Sequence, residues 1–195
     1  MKILAFSDLH EDINAFNKLK KKTTHVDIIV CAGDFTLFEN KLIEMIKKIA
    51  SLNKPTYLIH GNHETASHVY KETTKYPHIR YIHNKVYHIN DEISIFGYGG
   101  GGFSSKDKNF ENYILKNKSK LNKKNILVTH APPYNTVLDL IYDDYHAGNK
   151  TIKKYLKLFD IAISGHFHET FNKKEIIKKK TLIINPGPCG KIITL

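Results

Sequence analysis

At 195 residues, with 41% apolar and 25% charged side chains, the chain can bury a substantial core as one domain, expected to span residues 1–195, and disorder is excluded. Its 30 basic against 19 acidic residues leave a formal charge of +11, nearly all of it from lysine because Arg80 is the only arginine, so an anionic partner is the first class to test. Twelve histidines beside only two cysteines, Cys31 and Cys189, exclude a disulfide framework and direct attention to histidine-based metal binding.

The apolar start at residues 3–6 is too short for a signal-peptide core, so a cytoplasmic location is expected. The longest apolar runs, such as 28–32, have strand length and fall far short of the roughly 20 residues of a membrane helix, so no membrane partner is expected. In chain order, β-branched runs alternate with amphipathic stretches: strand 2–6, helix 13–19, strand 27–32, helix 42–49 and strand 56–59, a β-α-β-α-β pattern. A helix is expected over 65–72. Runs 80–82, 86–89 and 93–96 are too closely spaced to enclose helices, which predicts a local antiparallel region and hence a mixed sheet. Beyond the glycines at 99–102 the pattern predicts helix 107–118, strand 126–129, helix 151–158, strand 161–164 and a strand pair over 171–177 and 181–184.

Five apolar strands end in polar, ligand-type clusters: Asp8 and His10; Gly33 and Asp34; Gly61, Asn62, His63 and Glu64; Thr129 and His130; Gly165, His166 and His168. The carboxyl ends of strands are where α/β sheets place ligand sites. If the five strands neighbour one another in one sheet, two aspartates, an asparagine and at least four histidines converge, enough for two metal ions. Taken singly, each cluster has a plainer reading. Asp8-x-His10 could be a helix cap beside a surface histidine, Gly33-Asp34 a turn, and His130 a loop residue.

The ordered series Asp8-x-His10, Gly33-Asp34, Gly61-Asn62-His63-Glu64, Thr129-His130, Gly165-His166-x-His168 resembles the five-block signature of the calcineurin-like metallophosphoesterases. Residues 183–187, ending Asn185-Pro186-Gly187, are similar to that family's C-terminal strand and turn. The resemblance implies an α/β fold, a four-layer α/β/β/α sandwich of two mixed β-sheets flanked by helices. It also implies Asp8, His10 and His168 on a first metal, Asp34 bridging, and Asn62, His130 and His166 on a second. His63 would then be a general acid or transition-state stabiliser instead of a ligand. The implied activity is phosphoester hydrolysis, phosphodiesterase or phosphatase, on a small phosphoester substrate. Nuclease activity and a non-catalytic interaction module are the alternatives on this fold. Within the family, residues 131–148 resemble a loop of the small phosphodiesterase branch. Tyr134 and His146 are accordingly expected to line the substrate pocket, with capping of the next helix as the alternative for His146.

A shared carboxylate can hold two cations roughly 3.5 to 4 Å apart. Nitrogen and oxygen donors without thiolate suit Mn, Fe, Zn or Ni, as two divalent ions or a mixed-valence pair. Two aspartates offset only part of that charge and leave a site that attracts anions. Glu64 is expected to support the first turn of the helix that follows it. The 97–103 glycine segment lacks the Lys and Ser/Thr of a P-loop and is expected to be a flexible rim. Lysine-rich tracts 18–22, 116–124 and 173–180 could form a nucleic-acid face, but a helix C-terminus and an exposed sheet edge explain them with fewer assumptions.

Overall fold

The computed structural model describes every residue except Asp143. The first part of the chain forms β1 (Lys2–Phe6), α1 (Ile13–Lys22), β2 (Ile28–Cys31), α2 (Leu42–Ala50), β3 (Thr56–Leu58), α3 (Ala66–Thr73) and β4 (Ile79–Tyr81). The middle forms β5 (Lys85–His88), β6 (Ile93–Tyr98), α4 (Lys108–Asn117), β7 (Lys124–Thr129), β8 (Leu140–Tyr142) and β9 (Tyr145–His146). The last part forms α5 (Lys150–Tyr155), β10 (Ile161–Ile163), β11 (Lys174–Ile177), β12 (Thr181–Ile184) and β13 (Lys191–Thr194).

Successive side chains of a strand point to opposite faces, and the central strands here are apolar on both, so each sheet has to be covered twice. In β1, Ile3 and Ala5 enter one core while Leu4 and Phe6 enter another; in β2, Ile28 and Val30 part from Ile29 and Cys31 in the same way. Leu4 and Phe6 meet Leu19 of α1, Met45 and Ile46 of α2, and Val69 of α3. Ile3 and Ala5 meet Ile95, Ile126, Val128, Ile161 and Ile163 of the second sheet. The far face of that sheet, with Phe96, Leu127 and Ala162, is covered by Phe110 and Ile114 of α4 and Ile152 of α5. The result is helices, sheet, sheet, helices, with three cores between the layers.

Both sheets are mixed. The first has the order β13-β1-β2-β3-β4, parallel except for β13. The second has the order β11-β12-β10-β7-β6-β5, parallel at its centre with antiparallel edges β11 and β5. The expected antiparallel region is therefore only half present, because β4 pairs parallel with β3 and only β5 and β6 form an antiparallel pair. The chain changes sheets between them: the Ile82 amide still donates to Leu58 of the first sheet, and the Asn84 amide donates to Gly97 of the second. Gly97 permits this close crossing, because a Cβ there would collide with the side chain and carbonyl of Ile82.

The strand pair expected near the C-terminus is present as β11 and β12, whereas β13 and the β8–β9 hairpin have no counterpart in the periodicity. In β13 only Ile193 is buried, so the strand leaves almost no alternating signature. The expected helix over 151–158 starts at Lys150, capped by the Asn149 side chain, and gives way to a 3₁₀ turn at Leu156–Leu158. Among the described residues, no helix is long and apolar enough to cross a membrane.

Candidate metal centre

The five clusters do converge, but not from one sheet as the strand pattern alone suggests. Asp8 and His10 follow β1, Asp34 follows β2, and Asn62 and His63 follow β3 in the first sheet. His130 follows β7, and His166 and His168 follow β10, in the second. The inner apolar faces pack the sheets together, and this places the carboxyl ends of both along one edge of the sandwich.

Three groups of donor atoms result, each confined within 4.8 Å: Asp8, His10 and His168; His10, Asp34 and His63; Asp34, His130 and His166. His10 Nε2 lies 3.1 Å from His168 Nε2, and His130 Nε2 lies 3.1 Å from both Asp34 Oδ2 and Asn62 Oδ1. His10 Nδ1 donates to the Thr36 carbonyl (3.1 Å) and His130 Nδ1 to the Ala32 carbonyl (2.8 Å), so each ring, once neutral, turns an Nε2 lone pair toward the cluster. Lone pairs converging at such distances repel one another unless a cation or a proton sits between them. The nitrogen and oxygen donors, their spacing and their outer hydrogen bonds all fit metal ions at ordinary bond lengths of about 2.0–2.2 Å.

His63 is also within reach of this set, its Nε2 3.8 Å from Asp34 Oδ2. Its Nδ1, however, accepts the Phe38 amide at 3.3 Å, so the neutral ring carries its hydrogen on Nε2. His63 therefore presents a donor toward the cluster where neutral His10 and His130 present lone pairs.

The loops are held in demanding backbone conformations. Asp8, His10, Asp34 and His166 all have positive φ (53°, 43°, 52° and 76°), a region that non-glycine residues enter only when surroundings enforce it. The enforcement is visible. The Asp8 amide donates to the Gly33 carbonyl and the His10 amide to the Asp34 carbonyl, while the His63 and His166 amides donate to the Asp34 and Asp8 carboxylates. Asn185 bonds the Phe167 carbonyl and Thr170 hydroxyl, and the neighbouring Gly187 carbonyl accepts the Ser7 amide, tying the His166–His168 loop to the start of the Asp8 loop.

Glu64 is a functional residue that the sequence pattern misplaces. The helix after it begins at Ala66, and the buried Glu64 carboxylate turns inward to accept the amides of Asp34 (3.0 Å), Thr36 (2.8 Å) and Gly61 (2.9 Å) and the Thr36 hydroxyl (2.9 Å). One carboxylate thereby fixes the β2 and β3 loops together. Gly61 lets them approach, since a Cβ there would overlap the Asp34 side chain.

The charges are strongly coupled. Burial alone would raise Asp34, but the hydrogen bond and charge of His130, with help from His63, hold its carboxyl down at about 2. Burial likewise opposes protonation of His130, yet the hydrogen bond and charge of Asp34 lift it to about 9. Burial, reinforced by the charge on His130, lowers His166 to about 4. Glu64 is pushed up to about 7 by burial and by Asp34, against its hydrogen bonds.

Tyr134 and His146 lie outside the donor groups, on a neighbouring cavity of about 460 Å³ that also includes Phe103 and Phe167. His146 does not cap α5, a task taken by Asn149; its Nδ1 pairs with buried Asp139 at 2.8 Å. The glycine segment is a packed rim: the Gly99 amide donates to His83 Nδ1, and the Gly100 amide donates to the carbonyl of His60. His60 is itself buried, with Tyr81 Oη 2.7 Å from its Nδ1, behind the Asn62 loop.

Aspartate, asparagine and histidine gathered at the strand ends of a two-sheet sandwich form a donor set that could hold metal ions, and the chain belongs to the calcineurin-like phosphoesterase family, whose model matches residues 1–170. It is similar to an uncharacterized protein of Methanocaldococcus jannaschii, with 33% identity covering 96% of this chain and 88% of that one. Its fold is similar to a crystal structure from Thermus thermophilus (TM-score 0.76, 15% identity, 95% of this chain and 88% of that one). It is similar also to a dimetal phosphatase from Danio rerio (TM-score 0.66, 9% identity, 94% and 86%).

Removing the Glu64 carboxylate strands buried amides that cost about 1–3 kcal/mol each when unpaired. Glu64→Ala is expected to lower the unfolding free energy in urea by at least about 3 kcal/mol, with Glu64→Gln recovering part of the loss. An unchanged midpoint for Glu64→Ala contradicts the clamp.

Proposed function

We propose that the protein hydrolyses small phosphoesters, phosphodiesters above all, at a site holding two divalent ions. Asp8, His10 and His168 would hold one ion and Asn62, His130 and His166 the other, with Asp34 available to both. The observation that carries this reading is the overlap of the donor groups, in which His10 and Asp34 each belong to two. Mn, Fe, Zn or Ni bound there would supply Lewis acidity toward a phosphoryl group and toward the attacking water.

The chain's own residues supply the rest. His10 and His130 are oriented by the Thr36 and Ala32 carbonyls, so the donor set keeps its shape through a reaction cycle. His63 holds a proton on Nε2 beside the shared carboxylate and donates it as a hydrogen bond to a phosphoryl or leaving-group oxygen. Its Nδ1 contact with the Phe38 amide favours this stabilising role over full proton release. Tyr134 and His146 line the pocket next to the ions, with Asp139 fixing the His146 ring. The site acts in the cytoplasm on anionic substrates, drawn to it because two carboxylates would offset only about half the charge of two divalent ions.

Metal-dependent release of nitrophenol from bis(p-nitrophenyl) phosphate tests the reading. His63→Ala is expected to lower kcat by about 10²–10⁴ while metal content is unchanged, and Asp34→Ala to abolish both metal retention and activity. A fully metallated protein inert toward diesters and monoesters alike contradicts it.

His130 supplies a second test. Raised to about 9 by Asp34, it is protonated in the metal-free chain at pH 7 and has to release that proton to bind an ion. Metal affinity should thus rise about tenfold per pH unit until the pH reaches about 9 and level off above it. Calorimetry in buffers of different ionisation enthalpy should report about one proton released per chain at neutral pH; no proton release contradicts the assignment of His130.

A further inference from the structure

Among the described residues, the two large apolar side chains that stand furthest into solvent are Phe103, 84% exposed, and Phe38, 77% exposed. Three apolar cores are available in this fold, and neither ring enters one. Both instead sit against histidines of the metal centre: Phe38 lies 4.3 Å from His63 and Phe103 lies 4.9 Å from His166, centroid to centroid. Exposed aromatic groups are common when scattered, but two of them on the rim of one polar site mark a binding surface.

The exposure is enforced. Phe38 has φ 49°, and Glu39 and Lys41 beside it have φ 64° and 51°, conformations that a bulky residue adopts only under constraint. The loop is pinned in that state by the Leu37 amide on Glu11, the Phe38 amide on His63 and the Glu39 carboxylate on the Thr65 amide and His68. Phe103 forms the lip of the roughly 460 Å³ cavity, where Tyr134, Tyr145 and Phe167 add further flat faces. Lys150 is the cation there, its ammonium 4.7 Å from the Tyr134 ring centroid. The cavity size is that of a small-molecule subsite, and its walls match a planar aromatic group attached to an anion.

We infer that the substrate is a phosphodiester carrying a planar aromatic group on each side, a dinucleotide being the natural example. One ring stacks on Phe38 beside His63, and the other enters the Phe103–Tyr134 cavity beside His166. This rests on the phosphoesterase reading and deepens it: the ions handle the phosphoryl group, and the two aromatic edges choose what flanks it. Stacking tolerates any base, so the site should be selective for aromatic flanks and indifferent to which base supplies them.

Two substrates with the same leaving group separate these effects: p-nitrophenyl thymidine 5′-phosphate and methyl p-nitrophenyl phosphate. The metal-loaded protein is expected to favour the thymidine ester at least about tenfold in kcat/KM, the ratio that one base stack supports. Phe103→Ala should collapse that ratio toward one mainly through KM, and Phe103→Trp should restore it. Phe38→Ala should lower both substrates together, since both present the same nitrophenyl ring. Equal rates on the two esters, or a preference that survives Phe103→Ala, overturns the inference while leaving the phosphoesterase reading intact. No turnover of either ester by loaded protein that still hydrolyses p-nitrophenyl phosphate overturns the inference alone, and no turnover of that monoester either overturns both. Saturation-transfer NMR gives a readout apart from turnover: thymidylyl-(3′,5′)-thymidine should show contacts at both base rings, and their loss from one ring alone in Phe103→Ala.

Discussion

Asp34 is the constraint around which the site is arranged. Its carboxylate is 2% exposed, and a buried carboxylate is costly unless other charges and hydrogen-bond donors answer it. His130 does so by charge and hydrogen bond, the His63 amide by hydrogen bond, and bound cations would do so more strongly. Its own amide is held by Glu64, and its carbonyl accepts the His10 amide, so the atoms of this one residue tie together site residues that follow β1, β2, β3 and β7. A buried anion held between imidazoles is also a site made for cations.

The packing of the two sheets makes this possible. β-branched residues fill the inner core from both sides, and their tight fit brings the ends of β1, β2 and β3 beside those of β7 and β10. Parallel strands direct their carboxyl ends the same way within each sheet, so polar loops gather at one edge and the apolar interior is undisturbed.

Much of this was legible in the residues themselves. Short Ile/Val runs ending in Asp8, Asp34, Asn62, His130 and His166 identify both the strands and the side chains that meet, because strand ends and ligand chemistry each leave a local signature. The assignment of those strands to two sheets left none in any one strand, since an apolar run looks alike in either sheet; only the family resemblance supplied it. Glu64 was visible as part of Gly61-Asn62-His63-Glu64, but its partners are backbone amides of another loop, which carry no side-chain identity. The carbonyls of Ala32 and Thr36 were illegible for the same reason. Nothing in the sequence sets Phe38 apart from the buried phenylalanines, and Phe103 is marked only by its place at the end of the 97–103 glycine segment. The histidines also divide: His60, His78 and His88 find hydrogen-bond partners in Tyr81, the Ala50 carbonyl and Ser94, away from the donor groups. A minority of the lysines pair with surface carboxylates, as Lys123 does with Glu92 and Lys154 with Glu111, contacts that contribute little to stability.

Anomalous diffraction from crystals soaked in Mn²⁺ addresses the arrangement most directly. The expected result is two peaks roughly 3.5 to 4 Å apart with an Asp34 oxygen on both, and with His63 Nε2 beyond bonding distance of either. A single peak, or His63 Nε2 directly bonded to an ion, would contradict it.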